Sequence, residues 1–385
     1  MSSHWTNEFL LTMRRQADPP ADAVIQEILQ TQGFKETGKL FGLLIRKVEL
    51  PLDELPPVAA KFIHSHSALP GWADPAKIRM AEQVFIDHGP EFLIFLYFKS
   101  LPTLYAHAKG AEVLHMTGRL GQPDADNFKK FSRRIAETGQ FLMETMAPDA
   151  LQSGGRGIQM ALKIRLIHAA IRAFVQEKGW DSQKMGQPIN QEELGITLMT
   201  FAISPLDALA KFGIRLSEAR QEAYLHAWKV IGHTMGMTHE MLPDNVADGR
   251  DMLERILELE AAPSEAGKVL TEALVRFSEE TIPKKIFDHS PRVLIRYLAG
   301  DKIADILEVQ KKFSLTSFAL PFAIRKFLGL SERLENLSLP LNALLDKLSE
   351  AAVRAFVGYF DHFKNAQRGV PEALVERWRS AGRNI

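Results

Sequence analysis

Apolar residues recur at spacings of three and four along nearly the whole of this 385-residue chain, and that period decides what it can fold into. A repeat near 3.6 gathers apolar side chains on one face of a helix, whereas a half-buried strand needs alternation with period two. Alternating runs bounded by turn pairs are hard to find, so the chain reads as all-α. Segments such as "ADAVIQEILQTQ", "GKLFGLLIRKV", "PAKIRMAEQVFIDHG" and "GPEFLIFLYFKSL" read as short stacked helices, each stopped near its end by Gly, Pro or Asp. Longer helices are expected over 126–146, 157–179, 192–204, 217–235, 247–261, 265–280 and 342–365. Start signals support several of them, among them "SEAR" from Ser217 and "PDADNF" ahead of the 126–146 helix. The glycine-rich "PDALQSGGRGIQ" is the clearest loop, and a loop this short makes the helices on either side packed neighbours.

Charge and cysteine content exclude several function classes. Lys plus Arg and Asp plus Glu are equal at 47 each, so no global field draws the protein to nucleic acid or an anionic membrane. With no cysteine there are no disulfides, thiolate metal sites, cysteine nucleophiles or thioether-linked haem. The longest uninterrupted apolar run, "FLIFLYF", is far short of the ~20 residues a membrane span requires. The first residues lack the order of a cleaved export signal, and the expectation is a soluble, cytoplasmic protein with no membrane span. No repeat, low-complexity tract or long linker divides the chain, so one large helical domain over 1–385 is expected, with its oligomeric state unassigned.

The short motifs of zinc peptidases, P-loop proteins, serine hydrolases and dinucleotide-binding folds are all missing. "HSH" at His64 and His66 points its two rings apart on a helix and makes a poor chelate. "THEM" lacks a second histidine four residues after His239, and a helix-end residue is the simpler account. Two other features carry chemistry. In "FSRRIAETGQFLMETM", Arg134, Thr138, Phe141 and Thr145 form one helical stripe in which polar groups interrupt an apolar face. In "LKIRLIHAAIR", His168 sits in an apolar run with Arg165 and Arg172 one turn to either side. A buried imidazole needs a hydrogen bond or a metal to offset its desolvation. Arg134 and Thr138 can be a surface arginine and a backbone-bonded hydroxyl, or the donors that meet a bound anion or dioxygen. His168 can be a core histidine bonded to a carbonyl, or the proximal ligand of a haem lodged between two helices, with Arg165 and Arg172 reaching its propionates or running out to solvent.

The order of "ADPPADAVI", "LPGWAD", "SLPTLYAHAKGAEVLHMTGRL", "RRIAETGQFLMETM", "GRGIQMALKIRLIHAAIR", "MLPDNVADGR" and "YLAGDKIAD" resembles the oxygenase family of the latex-clearing proteins (rubber oxygenases) and the mycophenolic-acid pathway oxygenase. The resemblance implies a globin-like helical core, about 106–300, with accessory helices over about 1–105 and 301–385. It also implies non-covalent haem b, with His168 of R-L-x-H-A-x-x-R as proximal iron ligand and dioxygen as co-substrate. On the distal side the latex-clearing members carry R-x-x-K-T; here Arg134 and Thr138 match, while Glu137 replaces the lysine. The family's acidic base falls near Gly118 in "MTGRL", where there is no carboxylate, so Glu137 is the candidate to supply one. The function expected from the resemblance is oxidation or cleavage of a small hydrophobic, unsaturated substrate, isoprenoid or lipid-like. The alternatives are a non-catalytic haem sensor or carrier of the same fold, and a metal-free helical scaffold.

Overall fold

The computed structural model describes residues 4–46, 52–117, 125–281, 290–309, 353 and 370–380. The helix expected over 342–365 lies outside these residues except for Val353, as do Gly118 and most of 301–385. Among the described residues there is no strand, only an isolated bridge between His107 and Ala261, and the protein is all-α. The first helices are α1 (Asn7–Met13), α2 (Pro19–Arg46), α3 (Pro57–His66), α4 (Pro75–Phe95), α5 (Leu101–Ala106), α6 (Ala108–Met116), α7 (Ala125–Thr145) and α8 (Arg156–Glu177). They are followed by α9 (Ser182–Met185), α10 (Gln191–Lys211), α11 (Glu218–Thr234), α12 (Val246–Glu260), α13 (Glu265–Thr281), α14 (Ser290–Ala299), α15 (Asp301–Ile306) and α16 (Glu372–Ser380).

The residues group into two compact units. The first comprises Met1–Gln83, Gln140–Met199 and Glu222–Leu259; the second comprises Val84–Gly139, Thr200–Gln221 and Glu260–Ile385. In the first, α2 lies along α8 over a core that includes Ile25, Ile28, Leu162, Leu166 and Trp228. Trp5 is buried at its edge, and its indole satisfies its one donor by giving a 2.9 Å hydrogen bond to Asp248 Oδ1.

The second unit is built on aromatic packing. Phe85, Phe92 and Phe95 follow one another at ring separations of 6.1 and 6.4 Å, and Phe95 stacks on Phe212 at 5.8 Å. The sequence expects a break at Gly89–Pro90, yet α4 runs through both residues. Proline has no N–H, so the Ile86 carbonyl four residues earlier loses its helical donor. The indole of Trp378 replaces it, with Nε1 donating to Ile86 O at 2.9 Å. A side chain at Gly89 would block that approach, since its Cβ would lie 2.5 Å from Trp378 Cζ2. The helix then widens into a π-turn at Leu96–Ser100 before α5.

Among the described residues one helix, Gln191–Lys211, is long and apolar enough to cross a membrane by length and composition, and most of it is buried in the fold. The sequence reading ends it at Ser204, before Pro205, but the helix continues through that proline to Lys211.

Candidate functional site

The singled-out residues fall on two helices. Arg134, Glu137 and Thr138 lie on α7, in the part belonging to the second unit, while Arg165, His168 and Arg172 lie on α8 in the first.

Helix α8 is buried along most of its length, because it packs apolar and ion-paired residues on several sides. From Met160 to Arg172 only Ile164 and His168 are not fully buried. They are four residues apart and therefore stacked on one face, so within this stretch they form one half-open notch, with the imidazole and an isoleucine side by side. Met160, Ile167 and Ile171 make the flanks apolar.

Arg165 and Arg172 do not share the notch. Arg165 makes a bidentate pair with Asp18, Nε to Oδ2 at 2.7 Å and Nη2 to Oδ1 at 2.8 Å, and its Nη1 donates to Thr234 O at 3.3 Å. Arg172 donates from Nε to Asp22 Oδ1 at 2.7 Å and from Nη1 to Ile189 O at 3.2 Å. The acids are one turn apart at the start of α2, and the arginines are two turns apart on α8, so the two pairs fix how α8 is rotated about its axis. The knot extends further. Gln191 Nε2 donates to Ala17 O at 2.8 Å and to Gly236 O at 3.0 Å, its Oε1 accepts from the Thr238 amide at 2.9 Å, and buried Arg14 pairs with buried Glu192 at 3.0 Å. Burial pushes the Asp22 carboxyl above its ordinary value, against the pull of Arg172. A cavity of about 360 Å³, bounded by Arg15, Asp22, Arg172 and Gln187 among others, lies on this side of α8, roughly a quarter-turn from His168.

On α7, Arg134 is half-buried and makes no ion pair among the described residues. Glu137 pairs instead with Arg133, which donates from Nε to Oε1 at 2.9 Å. Thr138 Oγ1 donates to the Arg134 carbonyl at 2.9 Å, so its proton is committed to the backbone and its lone pairs remain. Of the three, Arg134 is the available hydrogen-bond donor. Among the described residues no three His, Asp or Glu side chains are grouped to hold a metal ion.

The loop leading into α8 is held by a buried acid that no local sequence pattern singles out. Glu82 of α4, 7% exposed, accepts the amide of Asp149, a non-glycine residue at φ 60°. Burial raises its carboxyl to about 7, Asp149 adds to the rise, and the Asp149 amide and Arg79 oppose it. A raised folded-state value means stability that is complete below the unfolded value near 4.5 and lost as pH rises through about 7. Glu82→Gln is therefore expected to stabilise the protein at pH 8 by about 1–2 kcal/mol and to leave it nearly unchanged at pH 4.5. Thermal melts at the two pH values check this, and an equal effect at both would contradict it.

These features define a helical protein with a histidine-bearing notch on one helix and, on another, an arginine that has no ion pair among the described residues. The chain matches the family described as ER-bound oxygenase mpaB/B'/rubber oxygenase, catalytic domain, over residues 92–330, and it belongs to that family; it carries an oxygenase catalytic domain. It is 25% identical over 302 residues to the rubber oxygenase of Streptomyces sp. strain K30, covering 77% of this chain and 71% of that one. The structure of latex clearing protein in its closed state is similar in fold, with a TM-score of 0.69 at 22% identity over 89% of this chain and 90% of the other.

Proposed function

We propose that this chain is a haem b-dependent oxygenase that uses dioxygen to oxidise a small hydrophobic, unsaturated substrate, isoprenoid or lipid-like. The observation that carries the reading is the half-open notch at Ile164 and His168 on an otherwise buried helix, inside the span that matches the oxygenase family. An imidazole with an apolar neighbour on an accessible face suits a porphyrin, which needs one nitrogen ligand and greasy walls. His168 would hold the iron, and haem b bound there would supply the centre at which dioxygen is activated.

The protein's own groups divide the remaining work. Asp18 and Asp22 clamp Arg165 and Arg172, so we assign these arginines to setting the direction of His168 rather than to binding propionates. Arg134 keeps its donors available and orients an electron-rich ligand; Thr138 offers lone pairs. We assign Glu137 the role of proton acceptor, at the cost of loosening its pair with Arg133. Met160, Ile164 and Ile171 would give a bound group apolar contacts. A non-catalytic haem sensor or carrier is the second reading, favoured by the carboxylate of Glu137 standing where the latex-clearing pattern has a lysine.

Supplying purified protein with haem b tests both. A Soret band is expected in the native protein and in Arg134→Ala, and none in a folded His168→Ala. Dioxygen uptake with an isoprenoid or unsaturated lipid should fall at least ~10-fold in Arg134→Ala, the loss of about 1.4 kcal/mol of transition-state stabilisation. A band that survives in His168→Ala overturns the haem assignment, and no uptake with any such substrate favours the sensor.

A further inference from the structure

The connection between α3 and α4, residues 67–74, lies as a strap across one face of α11, and its fastening depends on an uncharged imidazole. The Asp74 amide donates to His226 Nε2 at 2.8 Å, which requires a lone pair there and places the ring proton on Nδ1. Trp72 meets the His226 and His233 rings edge-on, with centroids 5.7 and 5.9 Å apart and planes at 84° and 77°. Lys229 Nζ lies 6.0 Å from the Trp72 ring. Residues 226, 229 and 233 follow helical spacing, so one stripe of α11 carries the whole fastening. At the other end of the strap, the Ser67 carbonyl accepts the Gly154 amide at 3.0 Å, which ties it to the loop ahead of α8.

The surroundings make protonation of either ring disruptive. His226 faces Lys77 of α4 and Lys229 of α11, with Asp74 of the strap as the one opposing acid. His233 faces Arg165 of α8, His66 of α3 and His239 of the turn after α11, with no acid among them. A proton on His226 deletes the acceptor of the Asp74 amide and adds a cation beside two lysines; a proton on His233 adds one beside Arg165 under the indole.

We propose that the 67–74 strap is a pH-operated latch, closed while His226 is neutral and released when that ring takes up a proton, freeing Trp72 and loosening the loop that leads into α8. Half-burial and the neighbouring cations lower both histidines below 6.5, so release falls on the acidic side of neutrality. The latch rests on the strap's hydrogen bonding and does not depend on the oxygenase reading.

The test uses the full chain without added cofactor. Amide exchange, corrected for the intrinsic pH dependence, is followed between pH 8 and 4.5 together with the fluorescence change that Trp72→Phe removes. One-proton release predicts that protection at Asp74 falls about 10-fold per pH unit below the midpoint, while amides inside α11 stay protected. His226→Gln, whose side-chain oxygen accepts the same amide without titrating, should remove the step. A wild-type strap that stays protected to pH 4.5, or opens only together with α11, overturns the latch. So does an unchanged midpoint in a folded His226→Gln; should that variant not fold, the wild-type exchange profile decides alone.

Discussion

Replacing Asp18 with alanine is expected to lower the unfolding free energy by about 3–5 kcal/mol, the range for removing one partner of a buried ion pair. The size follows from what is left behind. Arg165 is 7% exposed, two of its nitrogens lose their acceptors, and the Thr234 carbonyl alone cannot replace a bidentate carboxylate. Asp22→Ala should cost less, about 1–3 kcal/mol, because Asp22 is partly solvated and Arg172 keeps the Ile189 carbonyl. Urea denaturation at neutral pH measures both, and a loss under ~1 kcal/mol for Asp18→Ala would show that water takes over the guanidinium.

Gly236→Ala is the second large effect, expected to cost about 3 kcal/mol or more. Its φ of +90° is strained for any L side chain, and a Cβ there would overlap Asp18 Oδ2 and lie 2.6 Å from Arg165 Nε. The backbone share of this cost is fixed, but the overlap share exists only while the ion pair occupies the space. In the Asp18→Ala background the penalty should therefore shrink, giving a coupling of about 1 kcal/mol or more. Strict additivity of the two substitutions would refute the proposed overlap.

How far the sequence reveals this protein depends on the distance over which each feature is determined. Helix starts are local and read well: α11 begins at the Ser217 cap, and α8 and α12 begin one residue before the expected positions. Helix ends at proline read poorly, because the chain carries α4 through Gly89–Pro90 and α10 through Pro205. At Pro90 the reason is tertiary: the donor that repairs the helix comes from Trp378, 292 residues away. The same limit applies around the site. Spacing and resemblance point to His168, Arg134, Glu137 and Thr138, but they do not show that Glu137 pairs with Arg133, or that Arg165 and Arg172 turn to acids 147 and 150 residues earlier. The seven-residue interval of His226 and His233 was visible in the sequence. The strap that joins the two rings through Trp72 is not legible there, because it comes from residues more than 150 positions earlier.

The knot of Asp18, Arg165, Gln191 and Gly236 also has a temporal side. Its first member leaves the ribosome early, and its last more than 200 residues later, at a synthesis rate of about 5–20 residues per second. Asp18 and Asp22 precede α8, so its arginines can meet their carboxylates as the helix emerges, whereas Thr234 and Gly236 follow Arg172 by about 60 residues, roughly 3–13 seconds in which the frame lacks their carbonyls. The frame closes only when residues 234–238 emerge and return to the amino-terminal segment, so the histidine-bearing helix gains its last restraints well after it has itself been made.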